Sequence, residues 1–174
     1  MARIVGYIAT SLDGFIADPQ ESLDWLTGSD AELGEHHYDR FIKRIRTVVM
    51  GRATYNWLRR HSNSWPYAEQ RTIVVTSRPL PNPPAGVETR SDVDALVAEL
   101  RALSDGDVWM CGGGKLQMAF LERGALDEVE IYNASALIGG GYPLFPATGF
   151  KATPKLISAK ALGAGMARLH YRFD

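Results

Sequence analysis

Cysteine is almost missing from this chain of 174 residues, where Cys111 stands alone. A lone thiol excludes an internal disulfide, and it makes no four-ligand zinc cage unless several of the four histidines converge on it. Net charge is almost missing too. The 19 Lys and Arg against 20 Asp and Glu leave −1. That balance excludes a global attraction to nucleic acid or to an anionic membrane, so any phosphate site must be local. No apolar run is long enough for a membrane-spanning helix, and residues 1–9 lack the basic start and long apolar core of a secretory signal. A cytoplasmic protein is the expectation. Repeats and low-complexity tracts are absent as well.

What is present suits one ordinary globular domain over residues 1–174, with 45% hydrophobic and 22% charged residues. Residues 3–9, with Ile4, Tyr7 and Ile8, read as a strand, and Ser11-Leu12-Asp13-Gly14 supplies turn chemistry after it. Ser29 and Glu32 have capping-box spacing, and Tyr38, Phe41, Ile42 and Ile45 follow with helical periodicity. Residues 47–50 and 72–75 are short apolar runs suited to strands buried on both faces, and residues 54–60 read as a helix between them. Four of the nine prolines crowd into residues 79–86, an ordered surface loop. Ser91 and Asp94 bracket another helix start, continued by Val93, Leu96, Val97 and Leu100. A strand at 108–111, a helix at about 115–123 and a strand at 128–132 follow. Residues 156–161 and 168–173, on either side of Gly163 and Gly165, predict a closing antiparallel hairpin.

This alternation predicts an α/β fold with a mainly parallel sheet flanked by helices. In such sheets ligands bind at the carboxyl ends of the strands. Each of the first four predicted strands runs straight into a small or polar loop at 10–14, 51–52, 76–78 or 112–114. Gly51-Arg52-Ala53-Thr54 offers backbone N–H groups, a hydroxyl and a guanidinium to a phosphate, or else is simply a tight turn with a helix cap. Thr76-Ser77-Arg78 would suit a ribose 2′-phosphate and hence NADPH over NADH. Gly112-Gly113-Gly114 removes Cβ atoms from the path of a ligand. It fails as a Rossmann fingerprint, because Gln117 stands at the last glycine position, and as a P-loop, because Leu116 follows Gly114-Lys115. His36 and His37 are sequence neighbours and share no helix face, so no metal site is expected from them.

Taken together, these segments resemble the dihydrofolate reductase superfamily. The likeness runs through Ser11-Leu12-Asp13-Gly14, residues 48–55, residues 74–78 and residues 110–114, and continues through Leu126-Asp127-Glu128, residues 139–145 and the terminal hairpin. More narrowly the chain resembles the reductase domain of the riboflavin-pathway deaminase/reductase and its stand-alone relatives. That resemblance implies an NADPH-dependent homodimer. Carried over position by position, it puts the cofactor's phosphates on Gly51, Arg52 and Thr54, its 2′-phosphate on Thr76, Ser77 and Arg78, and its pyrophosphate and nicotinamide side on Gly112, Gly113, Gly114, Lys115 and Leu116. Asp13, with Gly14, would lie in a loop over the nicotinamide, which makes Asp13 a second catalytic candidate. Glu35, at the edge of the apolar stripe of the first predicted helix, is the candidate acid. Trp25 and Tyr55 are candidates to wall a flat heteroaromatic substrate, with core packing as the other reading.

The chain departs from the riboflavin branch at three places. Tyr7, residues 56–58 and Cys111 stand where that branch typically carries a lysine, an aspartate and a glutamate. The expected function is an NADPH-dependent reductase of a small heterocycle, either a pyrimidine of the 5-amino-6-(5-phosphoribosylamino)uracil type or a pterin. The other reading is a dimeric NADPH-binding sensor without turnover.

Overall fold

The structure is a computed structural model that describes residues 1–26, 31 and 33–173. In chain order its elements are β1 (Ile4–Thr10), β2 (Phe15–Ala17), a single 3-10 turn (Gly34–His36), α1 (Tyr38–Lys43), β3 (Ile45–Gly51), α2 (Arg52–His61), β4 (Arg71–Val75), β5 (Val87–Arg90), α3 (Val93–Arg101), β6 (Asp107–Gly112), α4 (Gly114–Leu121), β7 (Glu128–Asn133), β8 (Tyr142–Pro143), β9 (Lys155–Ala161) and β10 (Ala167–Arg172).

Eight strands form one sheet in the order β5-β4-β3-β6-β1-β7-β10-β9, parallel from β5 through β7 and antiparallel at β10 and β9. The central strands are apolar on both faces because helices cover both. Successive residues alternate between two cores. Val49, Ile73 and Met110 meet the α3 and α4 side with Leu96, Leu100 and Phe120, while Val48, Met50 and Trp109 meet the α1 and α2 side with Phe41 and Tyr55. Full burial of each such side chain contributes about 1.5–3 kcal/mol relative to exposure. The hairpin β9–β10 carries a third, smaller core of Tyr132, Ala134, Leu162 and Met166.

The first predicted helix is shorter than its periodicity suggests. Glu35 lies in the 3-10 turn, and His37 interrupts with an extended backbone (ψ 143°) while its Nδ1 accepts the Asp39 N–H at 3.2 Å. Only residues 38–43 are α-helical, and Ile45 already belongs to β3, where it is fully buried. The apolar spacing that mimics a fourth helical contact therefore serves a strand. The Ser29–Glu32 capping box falls outside the described residues. At α3 the cap is Asp92, whose carboxylate accepts the Ala95 N–H at 3.0 Å, in place of the predicted Ser91. The short strands β2, β5 and β8 carry too few residues for a periodic signal, and only their pairing defines them.

Candidate functional site

The site follows from where the helices go. β3 and β6 are neighbours in the sheet, yet α2 leaves β3 for one face and α4 leaves β6 for the other. A crevice therefore opens between their carboxyl ends, the kind of place where α/β sheets hold ligands. Both helices begin on a glycine, Gly51 and Gly113, with no side-chain cap, whereas α1 and α3 are capped by His37 and Asp92. No side chain caps their first turns, which start at the carboxyl ends of β3 and β6.

Glycines line this crevice at the ends of both strands. A Cβ on Gly51 would stand 3.9 Å from the Gly112 carbonyl oxygen and from the Gly113 nitrogen. Those on Gly112 and Gly113 would stand 3.7 and 3.9 Å from the Thr54 hydroxyl. Gly112 has φ +135°, a conformation that side-chain-bearing residues rarely adopt. Lys115 is exposed at the second position of α4, while Leu116 turns its side chain into the core and its N–H to the Gly113 carbonyl at 3.1 Å.

On the β4 side, Arg52 Nη1 donates to Thr76 Oγ1 at 3.3 Å, to the Arg78 carbonyl at 2.8 Å and to the Pro79 carbonyl at 3.0 Å. Arg52 thus braces the 76–79 turn, and Ser77 and Arg78 stand exposed on it. Gly51, Arg52, Thr54, Thr76, Arg78 and Gly112–Gly114 come together along one edge, from segments some 60 residues apart. On the other side of the crevice, the Asn133 side chain donates to Thr10 Oγ1 at 3.0 Å and to the Ser11 carbonyl at 2.8 Å, tying the ends of β1 and β7. No motif marks Asn133. Its place opposite Thr10 appears only in the strand register.

The acid and substrate candidates fare differently. Asp13 is engaged, accepting the N–H groups of Ile138 at 3.3 Å and Gly139 at 2.8 Å. Glu35 is exposed on its turn, within 3.5 Å of His36 Nε2 and 3.6 Å of Lys160 Nζ. It borders a groove of about 380 Å³ on the sheet face, whose lining includes Arg3 and Glu128 at the amino ends of β1 and β7. Tyr55 is core: it is 3% exposed, packs on Trp65 and accepts from Arg59 at 3.0 Å through its hydroxyl. The substrate-wall reading of Tyr55 is therefore corrected, because residue 55 sits on the sheet-facing side of α2. Trp25 is half-buried and packs against the core of Tyr132, Ala134, Leu162 and Met166. Trp57 donates to the Glu21 carbonyl at 2.9 Å, fastening the first loop to α2.

Below the crevice, on the α1 and α2 face, Tyr7 stacks on Phe41 with centroids 4.3 Å apart, and Phe41 and Tyr67 each meet Trp109 edge-on. Burial pushes the Cys111 thiol and the Tyr38 phenol up to about 12, and pushes Tyr67 upward as well. Burial thus favours the neutral, protonated forms of these three groups.

These features define a dihydrofolate reductase-like α/β protein. The chain belongs to the RibD C-terminal domain family, which it matches over residues 3–167. It is 31% identical over 170 residues to the uncharacterized protein YwjB of Bacillus subtilis, covering 97% of each chain. The solved putative riboflavin biosynthesis protein of Shewanella sp. PV-4 superposes with a TM-score of 0.85 at 27% identity, over 100% of this chain and 99% of that one. Dihydrofolate reductase from Enterococcus faecalis, solved with NADP(H), shares the fold with a TM-score of 0.65 at 17% identity, over 99% of this chain and 96% of that one. Among the described residues, no helix is long and apolar enough to cross a membrane.

Proposed function

We propose that the protein is an NADPH-dependent reductase of a small heterocycle, a pyrimidine of the 5-amino-6-(5-phosphoribosylamino)uracil type or a pterin. The observation that carries this reading is the crevice between β3 and β6, where two uncapped helix N-termini and a Cβ-free backbone converge. The donor set fits a dinucleotide. N–H groups and the Thr54 hydroxyl would take the pyrophosphate, and the exposed Ser77 and Arg78 would take a 2′-phosphate. When bound, the cofactor supplies a hydride. The chain orients it: Arg52 holds the 76–79 turn, and Asn133 fixes the end of β1 beside it. Membership in a family named for a riboflavin-pathway protein supports the heterocyclic substrate. A cytoplasmic homodimer belongs to the same reading.

The engagement of Asp13 and the ion pairing of Glu35 favour a second reading, an NADPH-binding sensor without turnover. One experiment separates them. The protein is loaded with NADPH, mixed with candidate pyrimidines and pterins, and followed by loss of reduced-nicotinamide absorbance in a single turnover. Oxidation with one compound supports the reductase. Tight NADPH binding with no oxidation across the panel supports the sensor, and failure to bind NADPH removes both.

A further inference from the structure

The groove beside α1 lies on the sheet face toward the amino ends of β1 and β7, away from the crevice at the carboxyl ends of β3 and β6. Its volume of about 380 Å³ is that of a small-ligand site. The chain makes it by interrupting the first helix. His37 is extended, so the Gly34–His36 turn docks separately through the His36 carbonyl, which accepts the hydroxyls of Tyr7 at 3.0 Å and Tyr132 at 3.2 Å.

The carboxylates of the groove's sheet wall are already engaged. Glu130 Oε2 accepts from Arg168 Nε at 2.8 Å and from the Tyr132 hydroxyl at 3.0 Å, and Glu128 Oε2 lies 3.0 Å from His170 Nε2. The cations of the α1 wall are not. Arg40 has no side-chain partner among the described residues, and Arg44 comes only within 3.6 Å of Asp107 and 3.5 Å of Glu130. Four residues apart, these two arginines lie on one side of α1, and both line the groove. Between them stands Phe41, whose ring stacks on Tyr7 at 4.3 Å and gives the same groove a flat apolar patch.

We propose that this groove is a second ligand site, for a small organic phosphate whose head is taken by Arg40 and Arg44 and whose body rests on the Tyr7 and Phe41 rings. A phosphate monoester offers three terminal oxygens, enough for two planar guanidiniums and a neighbouring imidazole, whereas one guanidinium already matches both oxygens of a carboxylate. The site is independent of the reductase reading. Its local reporter is His36, whose imidazole is held below its ordinary value by burial and then by Arg168, with Lys160 acting the same way and Glu35 and Glu130 opposing them. A phosphate arriving in the groove adds negative charge there and so favours the protonated ring.

The test uses the full chain with phenyl phosphate, inorganic phosphate and benzoate at constant ionic strength. Binding is read by NMR at the His36 ring, together with the midpoint of its titration, in wild type, Arg40→Gln and Arg78→Ala. Phenyl phosphate should bind saturably and raise the His36 midpoint, with inorganic phosphate and benzoate each about tenfold weaker. Arg40→Gln should weaken phenyl phosphate about tenfold and leave the thermal midpoint unchanged, because Arg40 is exposed. Arg78→Ala, at the crevice, should leave the His36 response as it is. No saturable response, or an affinity that Arg40→Gln does not move, would overturn the site. A response lost in Arg78→Ala would put the phosphate in the crevice and overturn it equally, and benzoate binding as tightly as phenyl phosphate would overturn the ligand class. NADPH binding enters none of these readings, so a failure here leaves the crevice untouched, and a failure there leaves the groove.

Discussion

Arg52 donates from a single guanidinium nitrogen to the main-chain carbonyl of Arg78, 26 residues away, at 2.8 Å. The residue that the Gly-Arg-x-Thr pattern offers to a phosphate is in fact the strut of the neighbouring loop. Among the described residues its other nitrogens have no hydrogen-bond partner, and its first effect is to brace the turn that carries Thr76, Ser77 and Arg78.

Arg52→Ala should therefore weaken NADPH by about tenfold or more, since bonds from a charged donor each contribute roughly 1.5–3 kcal/mol before compensation. Arg52→Lys should recover only part of this, because one nitrogen, Nη1, makes all three bonds, and a lysine that reproduced them would have no second nitrogen left for an anion. Fluorescence titration of both variants checks it, and full recovery by lysine would show that only charge matters at residue 52.

Arg78→Ala should separate the two nicotinamide cofactors. Loss of about tenfold to a hundredfold in NADPH affinity is expected, with NADH changed less than about twofold, because only NADPH carries a phosphate for this exposed guanidinium. Equal losses would take Arg78 out of the 2′-phosphate site.

Gly114→Ala should cost stability as well as binding. The added methyl would push on the Pro143 and Leu144 carbonyl oxygens, which are backbone and have nowhere simple to move. Overpacking of this kind costs about 1–3 kcal/mol. A urea midpoint lowered accordingly, with faster amide exchange at Tyr142 and Leu144, is the expected result.

The sheet edge carries a pH signature. Arg71 and Arg90 pair with Glu88 at 2.8 and 2.9 Å and with Glu99 at 2.5 and 2.8 Å. Arg71 first, then Arg90, holds the Glu88 carboxyl down at about 2. A carboxyl lowered on folding adds stability that is complete above its unfolded value, roughly pH 4.3, and fades as pH falls toward its folded one. Since Glu88 is partly open to solvent, Glu88→Gln should cost only about 0.5–1 kcal/mol at pH 7. The variant should then lose less stability than wild type between pH 5 and pH 2. Urea midpoints across that range test the sign, and parallel curves would contradict it.

How much the amino acids revealed by themselves varies with the range of the physics involved. The apolar doublets at Val48-Val49 and Ile73-Val74, and the periodic helix at Val93, Leu96 and Leu100, were legible because a strand or helix writes its own period into contiguous residues. So was the placing of Gly51, Thr76 and Gly112 at or just past strand ends, which is local chain order. Periodicity overstates the 38–43 helix, since Ile45 satisfies a helical spacing and a buried strand equally well until the sheet claims it. Only the tertiary structure decided that α2 and α4 part to opposite faces beside β3 and β6, that Arg52 braces Arg78, that Tyr55 turns inward and that Asp13 grips Gly139. Each of these depends on which distant segments become neighbours, and that choice is made by burying two cores at once, a property of the whole chain that no short window contains.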